Sequence, residues 1–305
     1  MGDAAAARLL RRCCSGAASR FLVWVRRISC EGQTGPGTDD AAPRTIATRY
    51  ARTMSDRSSV APDLPDVDLL LASGVLYADG LRWQHDRVAQ LREGGRAGRR
   101  EALALIEHAP VYTMGRRGGR ASVRLDEADL RAPVVDVERG GDMTWHGPGQ
   151  LVGYPILDLR ARGLRVADYV RLLEGMLIDV LGTSGIEAST VAGRPGVWVG
   201  DAKVAAIGIA VRGGVAFHGF ALNVAPDLAW YDAIVPCGLA DARVTSMQEL
   251  RPEAPSMAAV VEAVAIAFER RFTARLTTAN ASMLGASILD ASMRGASMRR
   301  RAVPA

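Results

Sequence analysis

The sequence predicts one α/β domain in which helices pack on a mixed sheet, with an irregular tail at each end. Three observations support this fold class. Helix-like and strand-like segments are mixed along residues 61–275, glycine pairs separate the last strand-like segments, and neither end of the chain has a steady periodicity. We therefore assign residues 61–275 to the folded domain, residues 1–60 to a disordered or mis-started extension, and residues 276–305 to a low-complexity tail.

Three segments are predicted to be helices. Residues 166–181 carry apolar side chains at helical spacing, and Gly182 and Gly185 can end that helix. Residues 77–91 are compatible with a helix, and residues 257–272 close the domain as a third one.

Short apolar segments between these helices are predicted to be strands. Gly200-Asp201 and Gly213-Gly214 have the composition of tight turns, so the strands on either side of them should be neighbours in the sheet. The predicted strands cover residues 102–106, 133–137, 151–159, 197–199, 204–211 and 215–224.

The two tails carry most of the positive charge. Residues 1–60 hold ten arginines against five acids and residues 276–305 hold four against one, so the net charge of +5 leaves about −3 for the body. A slightly acidic body does not predict a nucleic-acid partner. The nearest candidate for a membrane span, Phe21 to Val25, is far shorter than the roughly 20 residues required, so no membrane span is predicted.

Each tail has an alternative interpretation. The first thirty residues are rich in arginine and poor in acids, as a mitochondrial transit peptide would be, but Met54 could equally be the true start. The last part repeats a five-residue unit from Ala281, which fits neither a helical face nor a strand. We expect a disordered tail, with a short amphipathic anchor as the alternative.

Cysteine use predicts a reducing compartment. Cys13, Cys14 and Cys30 lie in the extension, and only Cys237 lies in the body, where it has no disulfide partner. This favours the cytoplasm, with the mitochondrion as the alternative if residues 1–30 are a transit peptide. Scattered histidines and one cysteine show no metal-ligand spacing, so no metal site is predicted.

Lys203 is the only lysine in a chain whose other basic residues are all arginine. A solvated turn would accept arginine equally well, whereas a role that requires loss of the proton would not. Two alternatives remain open at this point: a surface lysine near a turn, or an attachment point for lipoyl or biotin.

Cys237 lies where the apolar run from Ile234 meets Pro236 and Gly238. It is either a buried, inert cysteine or a thiolate nucleophile. A nucleophile needs a partner that removes the thiol proton or lowers the thiol pKa, and the candidates are Lys203, His146 and His218.

The densest group of polar residues is Arg139 to Gln150, which we expect to be a glycine-rich loop between two strands. Its four glycines allow the backbone to approach a ligand closely and to present N–H groups to it. Its spacing fits neither a Walker loop nor a dinucleotide fingerprint. A long turn with an incidental histidine is the alternative.

These motifs resemble the lipoyl(octanoyl) transferase family, the octanoyl-acyl-carrier-protein:protein octanoyltransferases. The resemblance rests first on Arg139-Gly140-Gly141, Thr144-Trp145-His146-Gly147-Pro148-Gly149-Gln150 and Tyr154-Pro155. Further segments agree in order and spacing, and the similarity covers roughly residues 75–250: Gly196-Val197-Trp198-Val199, Lys203 to Gly208, His218 to Asn223 and Pro236-Cys237-Gly238.

The resemblance implies a single domain with the fold of the biotin and lipoate protein ligases, and no cofactor. It implies that Cys237 carries the octanoyl group as a thioester and that Lys203 activates the thiol as a general acid and base. The residues that match the family's acyl-substrate pocket are Arg139, Gly140, Gly141, Asp142, Met143, Thr144, Trp145, His146, Ala206, Ile207, Gly208, Gly219, Phe220 and Ala221.

The implied donor is octanoyl-acyl carrier protein. The implied acceptors are apo lipoyl domains of 2-oxoacid dehydrogenase complexes and the glycine cleavage H protein. Three other functions remain as alternatives: an ATP-dependent lipoate or biotin protein ligase, a lipoyl acceptor protein modified on Lys203, and a thioesterase.

Overall fold

The structure, a computed structural model, describes residues 64–93, 100–119, 122–125, 129–235, 243–253 and 255–278. These residues belong to one unit that starts at Leu64. The predicted N-terminal extension lies outside the described residues, as does the C-terminal tail from residue 279 onward. The last strand ends at Thr278, so it crosses the domain boundary predicted at residue 275.

Twelve strands and four α-helices are formed by the described residues. The helices are α1 (Tyr77–Glu93), α2 (Val166–Thr183), α3 (Met247–Leu250) and α4 (Met257–Phe272), and a 3₁₀ helix covers Leu228–Ala233. The strands are β1 (Asp66–Val75), β2 (Glu101–His108), β3 (Val111–Met114), β4 (Val134–Asp136), β5 (Met143–His146), β6 (Gln150–Asp158), β7 (Ser189–Val191), β8 (Arg194–Val199), β9 (Ala202–Arg212), β10 (Val215–Asn223), β11 (Arg243–Val244) and β12 (Arg275–Thr278).

The larger sheet is mixed, as predicted. Its order is β12-β1-β2-β6-β10-β9-β8-β7, and β11 adds to β9. β1 is parallel to both β12 and β2, and β6, β10, β9 and β8 follow one another as antiparallel neighbours. A smaller sheet of order β4-β3-β5 carries part of the glycine-rich segment.

The three predicted helices are present. α2 buries Tyr169, Leu173, Met176, Leu177 and Val180 at helical spacing, and it packs against α4. α1 packs on β6 and β10 and buries Trp83 and Gln84 there. No helix in the described part of the chain is long and apolar enough to cross a membrane.

Both predicted glycine turns are present as two-residue hairpin turns. Val199 pairs with Ala202 around the first, and Arg212 pairs with Val215 around the second. Gly200 and Gly213 both have φ of 60°, a conformation that favours glycine. These turns place β8, β9 and β10 side by side.

The loop predicted over residues 139–150 is partly a strand. Residues 143–146 form β5, which pairs antiparallel with β3 from Val111↔His146 to Met114↔Met143. β3 itself was not predicted, so the sequence offered no partner for β5. β1 was also missed, because Asp68 interrupts its apolar run; in the structure that carboxylate is buried and accepts a 2.6 Å hydrogen bond from Arg87.

β10 and β6 approach each other unusually closely near the middle of the sheet. A Cβ added to Gly219 would lie 2.3 Å from the carbonyl oxygen of Gly153, and a Cβ on Gly153 would lie 2.1 Å from the Phe220 ring. The β6 backbone therefore requires glycine at position 219, and the packed Phe220 ring requires glycine at position 153.

We expect Gly219→Ala to lower the free energy of unfolding by about 1–3 kcal/mol, because its methyl group would overlap backbone atoms that cannot move independently. Urea unfolding measures this. Gly182→Ala is the control: no described atom lies within 4 Å of the added Cβ, so this helical substitution should be neutral or stabilise by about 0.5–1 kcal/mol. Equal effects of the two variants would contradict the argument.

Candidate active site

A cavity lies over the centre of the larger sheet, beneath the glycine-rich segment and the start of α1. Its volume is about 480 Å³ including the open space at its edge. Its wall is formed by Tyr77, Arg139, Gly140, Gly141, Asp142, Thr144, His146, Val152, Tyr154, Ala206, Ile207, Gly208, His218, Gly219, Phe220 and Ala221.

The glycine-rich segment is attached to β9 at one edge of this cavity. The Gly140 N–H donates to the Ile209 carbonyl at 2.8 Å, and a Cβ on Gly208 would lie 2.9 Å from the Gly140 carbonyl oxygen. A side chain at position 208 would push the segment away. Glycine at position 208 is therefore what allows the cavity to be narrow at this edge.

The buried side chain of Arg139 supports the same segment from within. Its guanidinium donates to the carbonyl oxygens of Asp142 and Thr113 at 2.8 Å each, and to the Thr113 hydroxyl at 2.8 Å. Since these acceptors belong to β3 and to the turn before β5, Arg139 joins the glycine-rich segment to the smaller sheet. A rigid fork of donors suits this role better than a lysine would.

His146 is positioned by a buried amide. Its Nδ1 lies 2.7 Å from the Gln150 Oε1, which can only accept, so Nδ1 carries the proton and Nε2 has a free lone pair. The Gln150 amide in turn donates to Asn223 Oδ1 at 2.9 Å and to the Tyr231 hydroxyl at 2.8 Å. This network fixes the imidazole orientation at the cavity wall.

His108 is fixed in the same way behind the wall. Its Nδ1 donates to the Val75 carbonyl at 2.9 Å, so its Nε2 accepts the Tyr154 hydroxyl hydrogen at 2.7 Å. Tyr154 lines the cavity, and Tyr77 stacks on His146 with ring planes 4° apart.

Burial keeps these rings neutral. It lowers the pKa of His108 to about 4, and it lowers the pKa of His146 and of His218 to about 3, helped by neighbouring positive charge. Burial also raises the pKa of Tyr77 to about 12. At neutral pH the histidines and tyrosines of the wall are therefore uncharged, which suits an apolar ligand.

Lys203 lies near the start of β9, three positions before the cavity residue Ala206. It is only 7% exposed. Its Nζ donates to the Pro195 carbonyl at 3.3 Å and lies 4.7 Å from the centre of the Trp198 ring. A Cβ on Gly196 would lie 3.3 Å from the lysine Cε, so the glycine leaves room for the aliphatic chain.

Cys237 lies outside the described residues, but the described chain on its C-terminal side returns to Lys203. Val244 pairs with Lys203 across β11 and β9, and the Thr245 N–H donates to the Lys203 carbonyl at 3.0 Å. Before the undescribed segment, the Val235 N–H donates to the Ser122 carbonyl at 2.8 Å.

The structure brings together all but two of the residues predicted to bind substrate. Met143 and Trp145 do not line the cavity; they are buried in a separate apolar cluster with Tyr112 and Ile234. The reason is the alternation of side chains along β5, which directs Thr144 and the neighbouring histidine to the cavity and the other two residues away from it.

Four wall residues were not predicted to bind substrate. Tyr154 lies inside a motif that carried the family resemblance, and His218 was considered only as a partner for the thiol. Tyr77 and Val152 carried no signal in the sequence, because only the packing of α1 and β6 brings them to the cavity. In the described part of the chain, no group of three or more His, Cys, Asp or Glu side chains could hold a metal ion.

The fold and this cavity define the class of protein. Solved lipoate protein ligases share the fold, which confirms the predicted architecture. Lipoate-protein ligase A bound with ATP has a TM-score of 0.56 at 16% identity, over 74% of this chain and 94% of that chain. A putative lipoate protein ligase from T. acidophilum has a TM-score of 0.54 at 16% identity, over 75% of this chain and 93% of that chain.

Sequence comparison identifies the family. Residues 77–269 match the lipoyl protein ligase A/B catalytic domain. An octanoyltransferase of Geobacter sp. (strain M21) is 47% identical over 193 residues, covering 63% of this chain and 91% of the relative. An octanoyltransferase of Synechococcus elongatus is 45% identical over 204 residues, covering 67% of this chain and 86% of the relative. The chain therefore belongs to the octanoyltransferases of the lipoyl protein ligase A/B catalytic family, and it is an acyltransferase.

The buried histidines predict a loss of stability in acid. Unfolded histidines titrate near 6.5, whereas folded His108 titrates at about 4 and folded His146 and His218 at about 3. As the pH falls below about 6.5, only the unfolded chain gains these protons, so the free energy of unfolding should fall by up to about 1.4 kcal/mol per pH unit for each histidine.

Urea unfolding of the wild type and of His146→Gln from pH 8 to pH 4.5 tests this expectation. At pH 8 the variant should differ only by its altered packing, because the histidine is neutral in both states. Below pH 6.5 its stability should depend less steeply on pH than that of the wild type. Parallel curves would show that His146 is not the group that titrates.

Proposed function

We propose that this enzyme transfers an octanoyl group from octanoyl-acyl carrier protein to the lysine of an apo lipoyl domain, through a thioester on Cys237. The observation that carries this proposal is a buried lysine on the same strand as a cavity whose histidines and tyrosines are uncharged. The cytoplasm is the proposed location, since a free thiol requires a reducing compartment.

The cavity suits a medium-length acyl chain. Apolar side chains of Val152, Ile207 and Phe220 and the small residues of β9 and β10 contribute much of its wall. Its histidines and tyrosines are held neutral by burial. Each methylene that enters such a site gains about 0.8 kcal/mol, so a chain of eight carbons can be bound without a charged contact.

The surroundings of Lys203 support a role in proton transfer. Its amine is held by a carbonyl and an aromatic face, and the side chain is buried where an acceptor domain could not reach it for modification. Burial therefore argues against the alternative in which Lys203 is itself the lipoylated residue. Lysine can take part in proton exchange, and arginine cannot.

The position of β11 supports a partnership with Cys237. Val244 pairs with Lys203, and only a few residues separate it from Cys237 along the chain, so the thiol can reach the amine without a rearrangement of the sheet. In this proposal the lysine and the cysteine form the catalytic pair, and the cavity holds the chain of the acyl group.

The first half reaction begins when the Lys203 amine takes the Cys237 thiol proton. The thiolate attacks the carbonyl carbon of the donor thioester, the bond to the pantetheine sulfur breaks, and that sulfur receives the proton from Lys203. Backbone N–H groups of Ala206 to Gly208 are proposed to stabilise the oxyanion.

In the second half reaction the lysine amine of the acceptor attacks the Cys237 thioester. The carbon–sulfur bond breaks, an amide forms, and Lys203 carries the surplus proton from the amine to the cysteine sulfur. Formation of an amide from a thioester is downhill, so ATP is not needed. An ATP-dependent ligase of the same fold would instead require ATP and Mg²⁺ and would not need the cysteine.

Cys237→Ala should abolish formation of the acyl-enzyme. Incubation with octanoyl-acyl carrier protein, without ATP, followed by intact-mass measurement should show one added octanoyl group on the wild type and none on the variant. A chain with Cys13, Cys14 and Cys30 all replaced by alanine is the control and should be acylated normally. Acylation of the Cys237→Ala chain would refute the proposed nucleophile, and release of octanoate without an acceptor would favour a thioesterase.

Lys203→Arg should slow acylation by about 10²–10⁴-fold, because arginine keeps the charge but cannot exchange the proton. Single-turnover acylation rates measure this. The matched control is Arg243→Lys on the neighbouring β11, an exposed position where the two cations should be interchangeable. If Lys203→Arg is acylated at the wild-type rate, Lys203 is not the proton-transfer group.

A further inference from the structure

His218 lies at the opposite end of the cavity from Lys203. On β9 the cavity residues Ala206 to Gly208 follow Lys203, and their partners on β10 are Ala221, Phe220 and Gly219 in that order. The next pair is Ile209 with His218. The cavity therefore begins on the side of Lys203 and reaches His218 last.

The length of this path matches a chain of about eight carbons. From Ala206 to Ile209 the strand advances roughly 10 Å, at about 3.3 Å per residue. An extended octanoyl chain has seven bonds of about 1.5 Å between tetrahedral carbons, which gives roughly 9 Å. A chain that starts near Ala206 would thus bring its methyl end to His218.

The backbone of His218 is held in a conformation that most residues disfavour. Its φ is 56°, and among described non-glycine residues only His218 and Thr273 have a positive φ. The His218 N–H donates to the buried Gln84 Oε1 at 2.8 Å. Because such strain persists only where the surroundings enforce it, the position of this ring is determined by α1 as well as by β10.

The imidazole is tightly packed and blocks this end of the cavity. It is 1% exposed, stacks on Phe217 at 5.0 Å between ring centres, and meets the edge of Tyr154 at 6.3 Å. On the neighbouring strand, the Gly140 N–H is bound to the Ile209 carbonyl, so the glycine-rich segment covers the same end.

This end is also polar. Among the described residues, the Nε2 atoms of His218 and Gln84 have no hydrogen-bond partner. A longer acyl chain would place its apolar end against the His218 imidazole, whose Nε2 it could not satisfy. Both shape and chemistry therefore oppose chains that extend past His218.

We propose that His218 is the specificity-determining residue that ends the acyl cavity and sets the longest chain it accepts. The assignment rests on the acyl transfer proposed above, but the cavity can be tested without catalysis. Removal of the ring should open the end of the cavity and shift the preferred chain from eight carbons toward ten or twelve.

Three variants of the full chain separate this role from a structural one. His218→Gly removes the ring and fits the backbone conformation, and His218→Asn keeps a smaller polar side chain that also tolerates positive φ. Thr273→Gly relieves the same kind of backbone strain at the end of α4, away from the cavity, and serves as the matched control.

Binding of octanoate, decanoate and dodecanoate is measured by isothermal titration calorimetry, and acylation by the corresponding pantetheine thioesters is measured by intact mass. An unobstructed cavity should gain about fourfold in affinity per methylene. The wild type and Thr273→Gly should instead bind decanoate at least about tenfold more weakly than octanoate. His218→Gly should prefer decanoate, and His218→Asn should lie between.

If both His218 variants fold and keep the wild-type order of chain lengths, the assignment is wrong. A shift in binding without acylation of the wild type would refute the proposed transfer and leave the role of His218 supported. Acylation of the wild type by octanoyl thioester, with no shift of chain-length preference in the variants, would support the proposed transfer and refute the role of His218.

Discussion

The buried guanidinium of Arg139 is the interaction on which the rest of the site depends. It donates to backbone and side-chain oxygens on β3 and in the turn before β5, so it holds the glycine-rich segment against the smaller sheet. The Gly140 N–H attaches the same segment to β9 of the larger sheet. Gly208 makes this possible, because a side chain there would collide with the segment. A substitution at either position would widen the cavity and weaken its connection to the smaller sheet.

The second constraint is that the histidine and tyrosine side chains of the cavity wall are uncharged. The wall contains the imidazoles of His146 and His218 besides the rings of Tyr77 and Tyr154, yet burial lowers the pKa values of both histidines to about 3. Hydrogen bonds donated to the Gln150 side-chain oxygen and to the Val75 carbonyl fix the ring orientations of His146 and His108 without charge. The cavity can therefore be built from polar residues and still bind a hydrocarbon chain, at the expense of stability in acid.

The sequence predicted the helices and the hairpins of the domain because each has a local signal. α2 follows from its apolar spacing, and β8, β9 and β10 follow from their glycine turns. β5 and β1 could not be predicted in this way. β5 is a strand because β3 pairs with it, and β1 tolerates Asp68 because Arg87 from α1 pairs with that carboxylate.

By itself, the sequence determined the family, the glycine-rich segment and the unusual status of Lys203 and Cys237, because these depend on residue identity and order along the chain. Only the tertiary structure decided which residues line the cavity together. Strand alternation turned Met143 and Trp145 away from the cavity, and the packing of α1 brought Tyr77 to it. The register between β9 and β10 placed His218 opposite Ile209. This position depends on strand pairing and on a positive φ, and local residue patterns predict neither of them.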